Sequence, residues 1–205
     1  ARWFARQTYD CDGACIPHNV FTHEVPDPTI CKSRNNRMHA FPPYAHTIGV
    51  SGMVVQNLWW HYKYQPERDY LERIAYPAVR DVATFYAEFI ERCRRAGDGK
   101  VVLAPSYSPE HWSLTPDFKR NRNSTFCIAY ARFTLKAAIE GAAALGCDEP
   151  LARRWQAALE LLPAYPVSEG EQPIVVDVLD APPINYNIAV PAVPVFPAEQ
   201  VTIFS

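Results

Sequence analysis

A mainly helical fold threaded with long proline-rich loops is what this sequence predicts, on two observations. Apolar residues recur at spacings of three and four through the middle of the chain, from about residue 50 to 162. There are nineteen prolines against only eight glycines, and most of them gather at 26 to 43, 105 to 116 and 163 to 197. The first pattern is the period of half-buried helices, and the second marks the loops between them.

Within Val50 to Tyr64, the residues Val54, Val55, Leu58, Trp59 and Tyr62 keep helical spacing, and Gln65-Pro66-Glu67-Arg68-Asp69 ends the run. Leu71, Ile74, Ala75, Ala78, Val79, Val82, Tyr86, Phe89, Ile90 and Cys93 then hold one face. Pro77 interrupts them, which predicts a short helix to about Ala75 and a long one with proline near its first turn. Ala96-Gly97-Asp98-Gly99 closes that helix. A second helical pair is expected at 125 to 145 and 150 to 162, with Gly146 as the stop and Asp148 as N-cap. Its core face carries Ala129, Phe133, Ala137, Trp155 and Leu159. Short connections make neighbouring helices antiparallel, so the middle of the chain reads as two successive αα-hairpins. The opening Ala1-Arg2-Trp3-Phe4 reads as helix interior, and Val167 to Ser205 as long loop with short strands around Ile174-Val175-Val176-Asp177-Val178.

The 205 residues suit one domain, and an apolar share of 48% is enough to bury a core. With 20 basic and 22 acidic residues the formal charge is -2, which argues against nucleic acid or an anionic membrane as partner. No apolar run approaches the roughly 20 residues that span a bilayer, and the first ten residues contain no signal-peptide core. Six cysteines (Cys11, Cys15, Cys31, Cys93, Cys127, Cys147) form no paired units with zinc spacing; Cys11 and Cys15 either bridge or remain buried thiols. Asn123-Ser124-Thr125 is a formal glycosylation sequon. Four histidines, His18, His23, His39 and His46, fall in a short stretch, but without the i, i+4 helical setting of a zinc motif; no metal and no cofactor is expected.

Three pieces of this layout, in order, resemble the catalytic domain of glycoside hydrolase family 95, known for inverting 1,2-α-L-fucosidases. They are Val55-Gln56-Asn57-Leu58-Trp59-Trp60-His61-Tyr62-Lys63-Tyr64 followed by Asp69-Tyr70-Leu71 and Ala75-Tyr76-Pro77; Ala104-Pro105-Ser106-Tyr107-Ser108-Pro109-Glu110; and Leu145-Gly146 with Trp155 and Leu161-Leu162-Pro163 ahead of Phe196-Pro197. The likeness spans roughly 50 to 200. It departs from the family at Phe126-Cys127, where Met-Asp is usual, and at Asn185-Tyr186-Asn187-Ile188-Ala189-Val190, in place of a histidine-rich stretch. The resemblance implies part of an (α/α)6 barrel, a helical toroid, with residues 1–205 as a fragment of that domain. It also implies inverting cleavage of a terminal α-L-fucoside or related α-L-sugar. The expected partners are an oligosaccharide or polysaccharide substrate and the remainder of the same domain. The expected location is periplasmic or secreted. The family's asparagine pair and base-assisting aspartate are expected outside these residues.

An inverting glycosidase needs a proton donor and a water-activating base separated by roughly 6.5 to 9.5 Å. By resemblance Glu110 matches the general acid. Its own setting suits that role, since it follows a proline in a loop and His111 and Trp112 beside it can desolvate it, which raises a carboxyl pKa. The competing reading is a helix cap or ion pair. Trp59, Trp60 and Trp112 can stack on a pyranose face, but adjacent residues on a helix point about 100° apart, so at most one of Trp59 and Trp60 faces a cavity. His61 either bonds a sugar hydroxyl or caps a carbonyl. Tyr107 and His111 belong to the same tract as Glu110. By resemblance the loop from His18 through His23 to Asp27 borders the mouth of the site. Asp177 and Asp180 either assist there or cap turns. Two other functions compete: a polysaccharide lyase, for which Tyr44 with His46 is the only tempting pair, and a non-catalytic carbohydrate-binding or assembly subunit on the same fold.

Overall fold

A computed structural model describes residues 1–18, 46–109, 111–112, 115–181 and 189–202. It contains α1 (Arg2–Tyr9), α2 (Gly49–Tyr64), α3 (Arg68–Tyr70), a π-helical turn (Leu71–Ala75), α4 (Tyr76–Arg92), α5 (Thr125–Leu145) and α6 (Glu149–Leu161), with single 3-10 turns at Pro116–Phe118 and Val190–Ala192. The chain is mainly helical, as predicted. The predicted break before Pro77 is instead a continuous rod. Proline has no N–H to offer the carbonyl four residues back. The preceding turn widens to the π register, in which the Tyr76 N–H bonds Leu71 O five residues behind.

Helix directions follow from which residues meet. Gly49 lies against Phe126 and Cys127, Gly52 against Tyr130 and Thr134, and Trp59 beside Gly141, so α2 and α5 run parallel. A Cβ on Gly52 would come within 2.8 Å of Tyr130 and Thr134, and only glycine permits this approach. Tyr86 of α4 donates to Ile48 O at 2.7 Å and accepts from Gly52 N at 3.2 Å, which sets the end of α4 beside the start of α2. Arg80 pairs with Asp148, and Arg154 with Glu91, so α4 and α6 are also parallel. The result is two antiparallel hairpins whose like members align, an arrangement consistent with part of a helical toroid. The core fills the space between them, with Val79, Phe85, Tyr86, Ile90, Ile128, Leu135 and Trp155 essentially inaccessible.

Two local expectations change, the Asp148 cap and the C-terminal strands, and the open question of Cys11 and Cys15 is settled. Asp148 does occupy the N-cap position, but in the left-handed region (φ 53°) and with no side-chain cap bond. Its carboxylate is used instead by Tyr76 Oη at 2.9 Å and Arg80 Nε at 2.6 Å, two stronger demands than a backbone N–H. The real side-chain cap is Ser124, whose Oγ accepts from Cys127 N at the start of α5. Among the described residues of the C-terminal tract no strand forms: Val167 and Val175 make an isolated antiparallel bridge, because the prolines deny a continuous ladder. Cys11 and Cys15 are free and buried, not bridged; burial pushes their thiols up to about 11 and about 12. Cys31 lies outside the described residues. No helix among the described residues is long and apolar enough to cross a membrane.

The Arg80 guanidinium beside Asp148, with the Tyr76 hydroxyl, holds that carboxyl below its ordinary 3.8. A depressed native pKa means the unfolded state binds more protons between the two values, so the stabilisation is complete above 3.8 and is lost as pH falls through the native value. Replacing Asp148 with Asn is therefore expected to cost about 1–2 kcal/mol at pH 7, low in the range for a partly solvated charged bond. In chemical denaturation the gap from wild type should close below pH 3.8; a gap independent of pH would refute the assignment.

Candidate active site

The parallel alignment of α2 and α5 brings their N-terminal ends to one end of the structure, and the connections gather there. Ser124, the cap of α5, receives the chain from two sides. Its N–H donates to Ser106 Oγ at 2.9 Å, and its Oγ lies 3.0 Å from the same oxygen. Tyr107 N donates to His46 O just ahead of α2, and Cys127 Sγ donates to Tyr107 O at 3.3 Å. The Pro105 to Pro109 tract is thus fixed between the two helix starts. Ser106 and Ser108 are fully buried and Tyr107 nearly so.

The C-terminal tract reaches the same place. Thr125 N donates to Asp177 O at 2.9 Å, and Thr125 Oγ1 to Val176 O at 2.6 Å, so the first residue of α5 seats both backbone carbonyls. With its backbone anchored, Asp177 turns its carboxylate inward at 5% exposure. Oδ2 accepts Trp112 Nε1 at 3.0 Å and lies 3.0 Å from His111 Nδ1. An ionised carboxylate only accepts, so His111 carries its proton on Nδ1 when Asp177 is charged. Oδ1 is buried with no hydrogen-bond partner among the described residues. Asp177 is therefore no turn cap; it clamps the two residues that follow Glu110 onto the α5 start. Glu110 itself lies outside the described residues, between Pro109 and His111, which are described.

Asn121 completes the frame and has no advance signal in the sequence, where it sits in the run Lys119-Arg120-Asn121-Arg122 that reads as solvated loop. It is fully buried. Its Oδ1 accepts Thr115 N and Thr115 Oγ1, both at 2.8 Å, and its Nδ2 donates to Trp112 O at 2.8 Å. Trp112 (φ 54°) and Asn123 (φ 53°) hold left-handed backbone at either side, conformations that persist only where such bonds fix them. The sequon residue Asn123 spends its Oδ1 on Leu103 N at 2.7 Å.

The remaining candidates separate. Trp59 is 4% exposed, enclosed by Tyr62 and the α2–α4–α5 core, so of the adjacent tryptophans it is the core member. Trp60 is half-buried, stacked on Phe196, with Nε1 donating to Glu199 at 3.4 Å. His61 is exposed and lies against the Tyr70 ring. At 1.5 Å per residue, Trp59 and His61 stand about 15 and 18 Å along α2 from Gly49. The fold does not bring them to the Asp177 end, because the helical stripe that carries them runs the length of the hairpin. His18 is half-buried at the close of the described N-terminal segment; His23, Asp27, His39 and Tyr44 lie outside the described residues. His46, paired in the sequence reading with Tyr44, lies 3.3 Å from Tyr9 Oη through Nδ1, and burial pulls its pKa below the usual histidine value. Burial raises the Cys127 thiol. Asp180 is exposed. Among the described residues no group of three or more His, Cys, Asp or Glu side chains is placed to hold a metal ion.

The family model of the glycosyl hydrolase family 95 catalytic domain matches residues 1–172. The match starts ahead of the motifs that carry the resemblance and stops short of Asp177. No curated protein matches the chain.

Removing the Asp177 carboxylate leaves two donors without their acceptor, so Asp177→Ala is expected to cost about 1–3 kcal/mol in urea denaturation. Combined with Trp112→Phe it should cost less than the sum, with a coupling of about 0.5–3 kcal/mol. Strict additivity would show that the 3.0 Å contact carries no energy.

Proposed function

The chain belongs to glycoside hydrolase family 95, and we propose that it forms part of an (α/α)6 catalytic domain that cleaves a terminal α-L-fucoside, or a related α-L-sugar, with inversion. Glu110 is the general acid in this reading. The observation that supports it is the buried clamp of Asp177 on His111 and Trp112, which fixes the chain on the C-terminal side of Glu110, while Ser106 and Tyr107 fix it on the N-terminal side. Proton donation requires that the donor be held within about 0.5 Å of its productive position, and this tract is held from both sides by buried bonds.

The chemistry then runs in one displacement. The Glu110 carboxyl gives its proton to the glycosidic oxygen as the bond to the anomeric carbon breaks, and the alcohol departs. A water attacks the opposite face, its proton taken by a base supplied from elsewhere in the domain, and the sugar leaves with inverted configuration. His111 and Trp112 adjoin the acid in the chain and are the groups that would desolvate its carboxyl, which favours the protonated form a donor needs. His18 and His23 border the substrate in this scheme, while Tyr107, assigned from the sequence to substrate contact, is buried and holds the tract between the helix starts. Asp177, assigned from the sequence to substrate contact, acts through His111 and Trp112. No metal or cofactor takes part in the scheme.

The intact protein carrying Glu110→Gln should lose about 10²–10⁴-fold in turnover of an α-L-fucoside with a poor leaving group. Aryl-α-L-glycosides measured in parallel, with proton NMR of the first product, read specificity and stereochemistry. Equal aglycone release by wild type and variant would end the assignment of Glu110, and a product of retained configuration would end the inverting mechanism.

A further inference from the structure

Beyond Trp112 lies a second feature, an open cleft at the surface. Thr115, Pro116, Asp117, Lys119, Arg120 and Arg122 line a cavity of about 460 Å³, within the range of small-molecule sites and roomy enough for one sugar ring. Three of these six side chains are cationic and one is acidic. On the helices most arginines are neutralised: Arg73, Arg80, Arg92, Arg153 and Arg154 each pair with a carboxylate. Neither Lys119, Arg120 nor Arg122 makes an ion pair with any described residue, and their positive charge stands out locally on a chain of net charge -2.

The loop that presents them is held in place. Buried Asn121 bonds Thr115 twice and Trp112 once, and Arg120 N donates to Thr115 Oγ1 at 2.9 Å. The Arg120 guanidinium lies 5.1 Å from the centre of the Trp112 ring. That stacking leaves the edge N–H donors of the guanidinium available for a planar or tetrahedral oxyanion, the geometry for which arginine surpasses lysine. Trp112 links the pocket to the clamp through its bond to Asp177 and stands two residues beyond Glu110.

We propose that this pocket binds an anionic substituent, the carboxylate of a uronate or a sulfate ester, on the saccharide next to the scissile bond. The assignment to the leaving-group side rests on the reading of Glu110 as general acid, since the acid always approaches the leaving oxygen. The existence of the anion site does not depend on that reading. The substrate is then an acidic or sulfated glycan bearing a terminal α-L-sugar, and Lys119, Arg120 and Arg122 select it over its neutral counterpart.

Three ligands that share one ring and differ at C6 separate the possibilities: methyl galactoside, methyl galacturonide and methyl galactoside 6-sulfate, titrated by NMR into the intact Glu110→Gln protein. At least one of the charged ligands should bind about 10-fold more tightly than the neutral one, and whichever does identifies the substituent. The preference should weaken with added salt. It should vanish in Arg120→Ala, and also in Lys119→Ala/Arg122→Ala, an exposed pair whose replacement leaves the buried frame intact. Equal binding of all three ligands, or a preference that survives both variants, would overturn the proposal. Because no turnover is needed, an anion preference that persists alongside an active Glu110→Gln enzyme would refute the catalytic reading alone.

Discussion

Gly49, Gly52 and Gly141 remove the side chains that would keep α2 and α5 apart, and Phe126, Tyr130, Thr134, Tyr76 and Trp59 occupy the space left. Parallel contact at that distance decides which ends of the helices coincide. Once the starts of α2 and α5 lie together, the connection after α4 and the tract after α6 must both return to the same end. Tyr86 reinforces the arrangement from α4 by donating to Ile48 O and accepting from Gly52 N, a backbone donor otherwise left buried beside the close contact. The candidate site is assembled from what this geometry collects: the Ser124 cap, the Ser106 to Pro109 tract and the Val176-Asp177 carbonyls on Thr125.

Most of the helical frame was legible in the sequence because helical periodicity reports burial directly. The stripe through Val55 and Trp59 and the stop at Gly146, in the left-handed region at φ 70°, both appear where spacing and glycine put them. The failures share a cause. Asp148 looks like a cap in one dimension, but the partner it meets, Arg80, is brought by the parallel packing of α4 and α6, which no local window contains. Pro77 looks like a break, yet a π turn absorbs the missing donor. The β-branched run at 174 to 178 looks like strand, yet no neighbouring strand is available to it among the described residues.

The candidate site was legible in part. The Pro105 to Trp112 tract stood out by resemblance, and Asp177 stood out as an acid of unknown use; their meeting did not, since 65 residues separate Trp112 from Asp177. Trp59 and His61, each a candidate for sugar contact from the sequence, sit on the α2 stripe, whose axis carries them about 15 and 18 Å from Gly49 and so away from the end where the loops converge. Asn121 was invisible, because a single asparagine among basic residues signals solvent unless its three bonds are known.

What unites these features is a division of labour at one end of the hairpins. A buried carboxylate holds the frame through His111 and Trp112, and the adjoining loop presents cations. The most direct test is a crystal structure of the intact Glu110→Gln protein with an uncleaved α-L-fucoside. The account predicts the glycosidic oxygen within about 3.2 Å of the residue 110 amide, beside Trp112 and the starts of α2 and α5. A sugar bound instead near Trp59 and His61, or anywhere remote from the Asp177 clamp, would contradict it.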